Sequence, residues 1–261
     1  MLSATFEKLR ARDEGALVLF VTAGDPDLAQ LPEILAALAE GGADIIEVGM
    51  PFSDPIADGP VIQASSQRAL DRGVTPGAVL EAIHKAQGDV PIVLMGYYNP
   101  ILRRGLKAFA DSATGSGVSG TIISDLTPEE ARPWVDASRA VGLDTIFLVA
   151  PTSTDERIGA VAEFASGFVY AVSRTGVTGS HQAAPPDVGG LVERIRTQTQ
   201  TPVCVGFGIS KPDQVREIVK VADGAVVGSW LVSWLAEHWQ AGAGRDALVS
   251  AVRELKEATR R

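Results

Sequence analysis

The chain has 261 residues, 46 % of them hydrophobic and 21 % charged, which suits one large hydrophobic core and excludes a disordered polymer. Its formal net charge is −9, from 32 acidic and 23 basic residues, with no basic stripe, so nucleic acid is not expected as a main partner. An anionic small molecule stays open, because backbone N–H groups bind phosphate whatever the net charge.

In chain order, TFEKLRARDEG reads as a helix ahead of the first strand, LVLFVT (17–22). The apolar run around that strand is short of the roughly 20 residues that span a bilayer. Glu7, Asp13 and Glu14 before it argue against a signal peptide. A cytoplasmic protein with no membrane segment is expected. LAQLPEILAALAEGG follows, with Leu28, Leu31, Ile34, Leu35 and Leu38 on one helical face and Gly41 as a stop signal. The next strands are DIIEVGM (44–50), VPIVLMG (90–96), VSGTIIS (118–124), DTIFLVA (144–150), GFVYAVS (167–173), PVCVGFG (202–208) and GAVVGS (224–229). Each is short and almost wholly apolar, as strands buried on both faces are.

Helical patterns separate them: TPGAVLEAIHKAQG, TPEEARPWVDASRAVG, TDERIGAVAEFASG, PPDVGGLVERIRTQTQ and SKPDQVREIVKVADG. Several begin with Ser, Thr or Asp followed by Pro or an acid, which is N-cap chemistry. Thr127, before Pro128 and two glutamates, is the clearest case. WLVSWL starts a short helix after the eighth strand, and RDALVSAVRELKEATRR closes the chain. Eight strands alternating with helices predict an α/β fold, a closed TIM (β/α)8 barrel in one domain over residues 1–261. The first helix is expected to cover its bottom.

In such a barrel the active site forms at the C-terminal ends of the strands. Glu47 lies late in the second strand among Ile45, Ile46, Val48 and Met50. A carboxylate there is expected to face the barrel mouth with a raised pKa, which suits a general acid–base. A structural carboxylate bonded to backbone or tyrosine hydroxyl groups would fit the same position. Asp54 and Asp58 follow in the loop PFSDPIADG, where either could accept a hydrogen bond from substrate or form a turn.

VGFGIS (205–210) and GAVVGS (224–229), with Gly208, Gly228 and Ser229, carry a phosphate signal after strands seven and eight. SRTGVTG (173–179) adds a third Gly-rich loop, in which Arg174 could neutralise phosphate or anchor the loop. Tyr170 and Phe207 are candidates for a pocket wall or for plain core. The three histidines, His84, His181 and His238, are scattered and suggest no metal cluster. No strand carries a lysine for a Schiff base, and no early GxGxxG supports a dinucleotide site. The one cysteine, Cys204, precludes an internal disulfide and reads as a small buried hydrophobe. Metal-free acid–base chemistry on a small phosphate ester remains.

The block IIEVGMPFSDPIADGP (45–60) resembles the tryptophan synthase alpha chain family. FVTAGDP (20–26), LMGYYNP (94–100), IFLVAPTS (146–153), YAVSRTGVTG (170–179), VGFGIS and GAVVGS support it in order and spacing, so the resemblance covers nearly the whole chain. It implies reversible retro-aldol cleavage of indole-3-glycerol phosphate into indole and D-glyceraldehyde 3-phosphate. By the same resemblance Glu47 is the acid–base at indole C3 and the glycerol hydroxyl, and Asp58 holds the indole N–H. Gly179, Gly208, Gly228 and Ser229 resemble the phosphate grip, and Phe20, Tyr170 and Phe207 the pocket wall. Thr178 and Asp125 resemble the loop-closure network. The resemblance also implies a beta chain in an α2β2 assembly, docked near Pro55, Ile56, Asn99 and Pro100. Pyridoxal phosphate belongs to that partner, and this chain is expected to need no cofactor. A stand-alone lyase, a non-catalytic activator of the beta chain and another phosphate-binding barrel enzyme are the rival readings.

The chain departs from the family at SDLTPEE, where Ser124 and Thr127 replace the prolines of PDLP, and at Leu19, where proline is frequent. Losing two fixed φ angles is expected to loosen that loop.

Overall fold

The structure is a computed structural model that describes residues 2–261 except 87, 173–187, 207 and 241. All eight expected strands form: β1 (Ala16–Thr22), β2 (Ile45–Gly49), β3 (Ile92–Gly96), β4 (Val118–Ile123), β5 (Asp144–Val149), β6 (Val169–Val172), β7 (Val203–Gly206) and β8 (Gly224–Val227). They close into a parallel barrel in sequence order, with β8 pairing back on β1 from Ala16↔Gly224 to Leu19↔Val227.

Strand alternation sorts the side chains into two cores. Leu17, Leu19, Val21, Ile46, Val48 and Leu94 face outward and pack under the helices. Val18, Ile45, Val93, Ile122, Ile146 and Phe168 fill the barrel. Cys204 belongs to that inner cluster and is fully buried, as its apolar neighbours imply. The first helix, α1 (Leu2–Arg10), plugs the bottom of the barrel: Leu2, Phe6 and Leu9 join the inner cluster, and the Phe6 ring meets Phe168 at 6.1 Å.

The outer layer comprises α2 (Leu31–Gly41), α3 (Pro60–Asp71), α4 (Pro76–Ala86), α5 (Tyr98–Arg104), α6 (Leu106–Gly115), α7 (Arg132–Arg139), α8 (Asp155–Phe164), α9 (Val188–Arg196), α10 (Pro212–Val219), α11 (Ser229–His238) and α12 (Arg245–Glu257). None of the described helices is long and apolar enough to cross a membrane. Thr154 caps α8 by accepting from Arg157 N at 3.3 Å. In α10 the first-turn Gln214 reaches back instead, accepting from Ser210 N at 2.8 Å and Lys211 N at 3.1 Å, just ahead of the helix.

Two helical expectations need correction. TPEEARPWVDASRAVG is not one helix: a 3-10 turn over Pro128–Glu130 precedes α7, and the Thr127 side chain caps no backbone N–H. Pro133, which brings no N–H and restricts the residue before it, marks the new start. The pattern also missed α3, α5 and α6. The buried face of α3 includes Ser65 and Ser66, which hide the apolar period. Ser65 is tolerated there because its hydroxyl donates to Ile62 O at 2.8 Å and lies 2.7 Å from Thr22 Oγ1.

Candidate active site

Glu47 sits on β2 between Phe20 of β1 and Val93 of β3. It shares the inward face of β2 with Ile45, one layer nearer the C-terminal mouth. The residue is 1 % exposed. Its Oε2 has no hydrogen-bond partner among the described residues. Burial, and secondarily the charge of Asp58, raise its pKa from 4.5 to about 8. The alternative of a carboxylate held for structure would require partners on that oxygen, and the described residues provide none.

The loop after β2 separates the two competing aspartates. Asp54 is exposed and accepts a hydrogen bond from Ser53 Oγ. Asp58 is 8 % exposed and lines the same cavity as Glu47. Tyr97, at the end of β3, holds it there. The tyrosine hydroxyl accepts from Ala57 N at 3.1 Å and donates to the Asp58 carboxylate, while its ring stacks on Phe52 at 4.8 Å. Gln63 Nε2 donates to Asp58 O at 2.8 Å, tying the loop to the first turn of α3. Burial raises the Asp58 pKa to about 6, and the Tyr97 hydrogen bond opposes that rise.

The cavity at the strand ends has a free space of about 670 Å³, mouth included. Phe20, Ile62, Met95, Leu148 and Tyr170 give it apolar walls. Gly208, Gly228 and Ser229 line the side formed by β7 and β8. Gly228 precedes α11, whose first turn presents backbone N–H groups free of intrahelical partners. That is the anion-binding geometry expected of the short helix after the eighth strand. Gly206 has a packing reason as well: a Cβ there would overlap the Tyr170 hydroxyl.

Other expected residues lie elsewhere. Asp125 Oδ1 accepts from Tyr98 N at 2.8 Å and so caps α5. Ile56 is 79 % exposed, Asn99 is exposed, and Pro55 and Pro100 are half-buried. Thr178, Gly179, Phe207, Arg174 and His181 lie outside the described residues. His84 and His238 sit on α4 and α11, and no metal-holding group of side chains occurs among the described residues.

Tyr97 and Ser124 were missed as site residues. Inward parity from Ile122 would have found Ser124, which also lines the cavity. Its N–H donates to Gly96 O at 2.9 Å. A proline could not make that bond, so the substitution tethers the loop at this point as well as freeing a φ angle.

These features define a (β/α)8-barrel enzyme with paired carboxylates beside an anion-binding helix terminus. The family model for the tryptophan synthase alpha chain matches residues 6–260. A tryptophan synthase alpha chain from Geobacter sulfurreducens is 49 % identical, with 97 % of each chain covered. One from Citrifermentans bemidjiense is 48 % identical, covering 98 % of this chain and 96 % of that one. A solved chain of Mycobacterium tuberculosis tryptophan synthase superposes with a TM-score of 0.91 at 41 % identity, covering 100 % of this chain and 98 % of that one. The chain belongs to the tryptophan synthase alpha chain family. It is a carbon–carbon lyase that cleaves indole-3-glycerol phosphate reversibly to indole and D-glyceraldehyde 3-phosphate.

Proposed function

We propose that Glu47 and Asp58 divide the cleavage between them, the first moving protons and the second following charge. The observation that carries this is the pairing of a strand-end glutamate at about 8 with a loop aspartate at about 6 in one cavity. At neutral pH Glu47 holds a proton and Asp58 is ionised. Glu47 delivers its proton to indole C3, and the ring nitrogen becomes positively charged. The Asp58 carboxylate, hydrogen-bonded to the ring N–H, stabilises that charge. Glu47, now ionised, takes the proton of the glycerol hydroxyl as the C3–C bond breaks. The bonding electrons return to the ring, which leaves as neutral indole, and the aldehyde forms. Atoms and charge balance with no other reactant.

Gly208, Gly228 and Ser229, with Gly179, hold the phosphate through backbone N–H groups. Phe20, Tyr170 and Phe207 flank the ring. Thr178 and Asp125 act in closure of the site. The partner is a beta chain in an α2β2 assembly, and Pro55, Ile56, Asn99 and Pro100 form part of its docking surface. The exposed Ile56 beside the Asp58 loop supports that assignment, since a contact there would reach the catalytic loop directly. Pyridoxal phosphate would belong to the beta chain.

The test is indole release from indole-3-glycerol phosphate by the full chain, with and without a beta chain, beside Glu47→Gln. Weak release alone, strong stimulation by the partner and near-total loss in the variant are expected. Full activity without the partner would favour a stand-alone lyase. Retained activity in the variant would overturn the role of Glu47.

A further inference from the structure

The loop that carries Asp58 runs straight into α3. The first turn of that helix holds the loop. Gln63 Nε2 donates to Asp58 O at 2.8 Å and reaches Pro55 O at 3.4 Å. Ile62 lines the catalytic cavity and packs with Phe20 of β1 and Val232 of α11. The placement of α3 therefore sets the placement of Asp58.

The far half of α3 is gripped by the turn after β1. Arg68 Nε donates to Asp25 Oδ1 at 2.9 Å, and its Nη2 donates to Oδ2 at 2.6 Å. Arg72 Nη1 lies 3.6 Å from the same carboxylate and donates to Gly24 O at 3.1 Å. A Cβ on Gly24 would overlap Val74, so the turn and the end of α3 are in direct contact. The Asp25 side chain is 3 % exposed. Among the described residues the next most hidden ion-paired carboxylate is Asp44, at 14 %. A pair buried this far is weak evidence for stability, because desolvating the carboxylate opposes the attraction. Two parallel hydrogen bonds do fix an angle: they hold the planar guanidinium, and the helix that bears it, in one orientation. Asp25 itself does not line the cavity.

We infer that Asp25 is a positioning residue for the cleavage: its two-pronged pair with Arg68 fixes α3, and through Gln63 and the loop it seats Asp58 in the cavity. The inference rests on the role proposed above for Asp58 and deepens it. A carboxylate must sit at the ring N–H to stabilise charge there, and the turn after β1 supplies the anchor for that geometry.

The test is a double-mutant cycle in the full chain. Indole release from indole-3-glycerol phosphate is measured for wild type, Asp25→Asn, Asp58→Asn and the double variant, each shown by circular dichroism to be folded at the assay temperature. Asparagine keeps the shape of Asp25, and the half-buried Arg68 can turn to water. A misplacement of about 1 Å costs up to about 10²-fold, so kcat should fall about tenfold to a hundredfold in Asp25→Asn. In the Asp58→Asn background the same substitution should cost less than about twofold, since its effect passes through the group already removed. A general loss of stability would cost the same in both backgrounds. The acid limb of the Asp25→Asn profile should also move below about pH 6. Burial raises Asp58 more than the Tyr97 hydrogen bond lowers it, and a loosened loop returns the carboxylate to water. Glu47, Tyr97 and Tyr170, the titratable groups that face Asp58, are the same in both proteins. Arg68→Gln cuts the link from the helix side and should repeat all three results. A fall in kcat of more than about twofold that disappears in the Asp58→Asn background, with the acid limb shifted down, supports the inference. A kcat within about twofold of wild type, an equal fall in both backgrounds, or an acid limb that stays at about pH 6 would overturn it and leave the pair as a clamp on the fold. Full activity in Asp58→Asn alone would instead overturn the role of Asp58 and take this inference with it.

Discussion

Replacing Glu47 by glutamine should make the protein more stable, and increasingly so as pH rises. Below about 4.5 the glutamate holds its proton in the folded and unfolded chain alike. Between 4.5 and about 8 the unfolded chain releases the proton while the folded chain retains it. The folded state is the better proton binder, so this stability is present at low pH and is lost as pH climbs through about 8. At about 1.36 kcal/mol per pH unit, the span from 4.5 to about 8 sums to on the order of 5 kcal/mol. Glutamine keeps the shape and cannot ionise. The wild type should therefore lose on the order of 4 kcal/mol relative to Glu47→Gln between pH 5 and pH 9. For a chain of this size that is roughly 10 °C in thermal midpoint. Scanning calorimetry of both proteins across that range measures it, and taking the difference cancels every group they share. A difference between the two midpoints that stays within about 2 °C from pH 5 to 9 would refute the reasoning. It would mean that burial does not hold the Glu47 proton.

The activity profile should be a bell with limbs near pH 6 and pH 8, Asp58 ionising on the first and Glu47 on the second. Asp58→Asn should slow indole release by about 10²- to 10³-fold; its residual upper limb should fall below pH 8, because the Asp58 charge helps hold the Glu47 proton. Tyr97→Phe removes the hydrogen bond that opposes the rise of Asp58, so the acid limb should move above pH 6. Loss of the Ala57 tether in the same variant should lower stability by about 1 kcal/mol in denaturant titration. Gly206→Ala sets a Cβ against the Tyr170 hydroxyl. A stability loss of about 1–3 kcal/mol and a raised KM are expected; an unchanged KM would show that Tyr170 shifts without altering the pocket.

Several elements were legible because their signals are local. The eight strands announced themselves as short apolar runs, and helix spacing kept them in a barrel rather than a hairpin sheet. Glu47 stood out because a carboxylate amid Ile46 and Val48 contradicts its surroundings. α3 was lost because Ser65 and Ser66 occupy its buried face, and α5 because seven residues give too little period to read. From position alone Asp54 and Asp58 were equal, and only the family block favoured Asp58. Burial separates them: the fold leaves one in solvent and seats the other in the cavity.

The sequence by itself determined the strands, their order and the family, because apolar period, turn residues and motif blocks are properties of neighbours along the chain. Tertiary structure alone decided which polar atoms find partners. Tyr97 reaches Ala57 across 40 positions of sequence, while Glu47 Oε2 and Ser124 Oγ find no partner among the described residues. Closing eight strands into a ring sets those meetings, since hydrogen bonding and desolvation depend on the distances between residues that the chain keeps far apart.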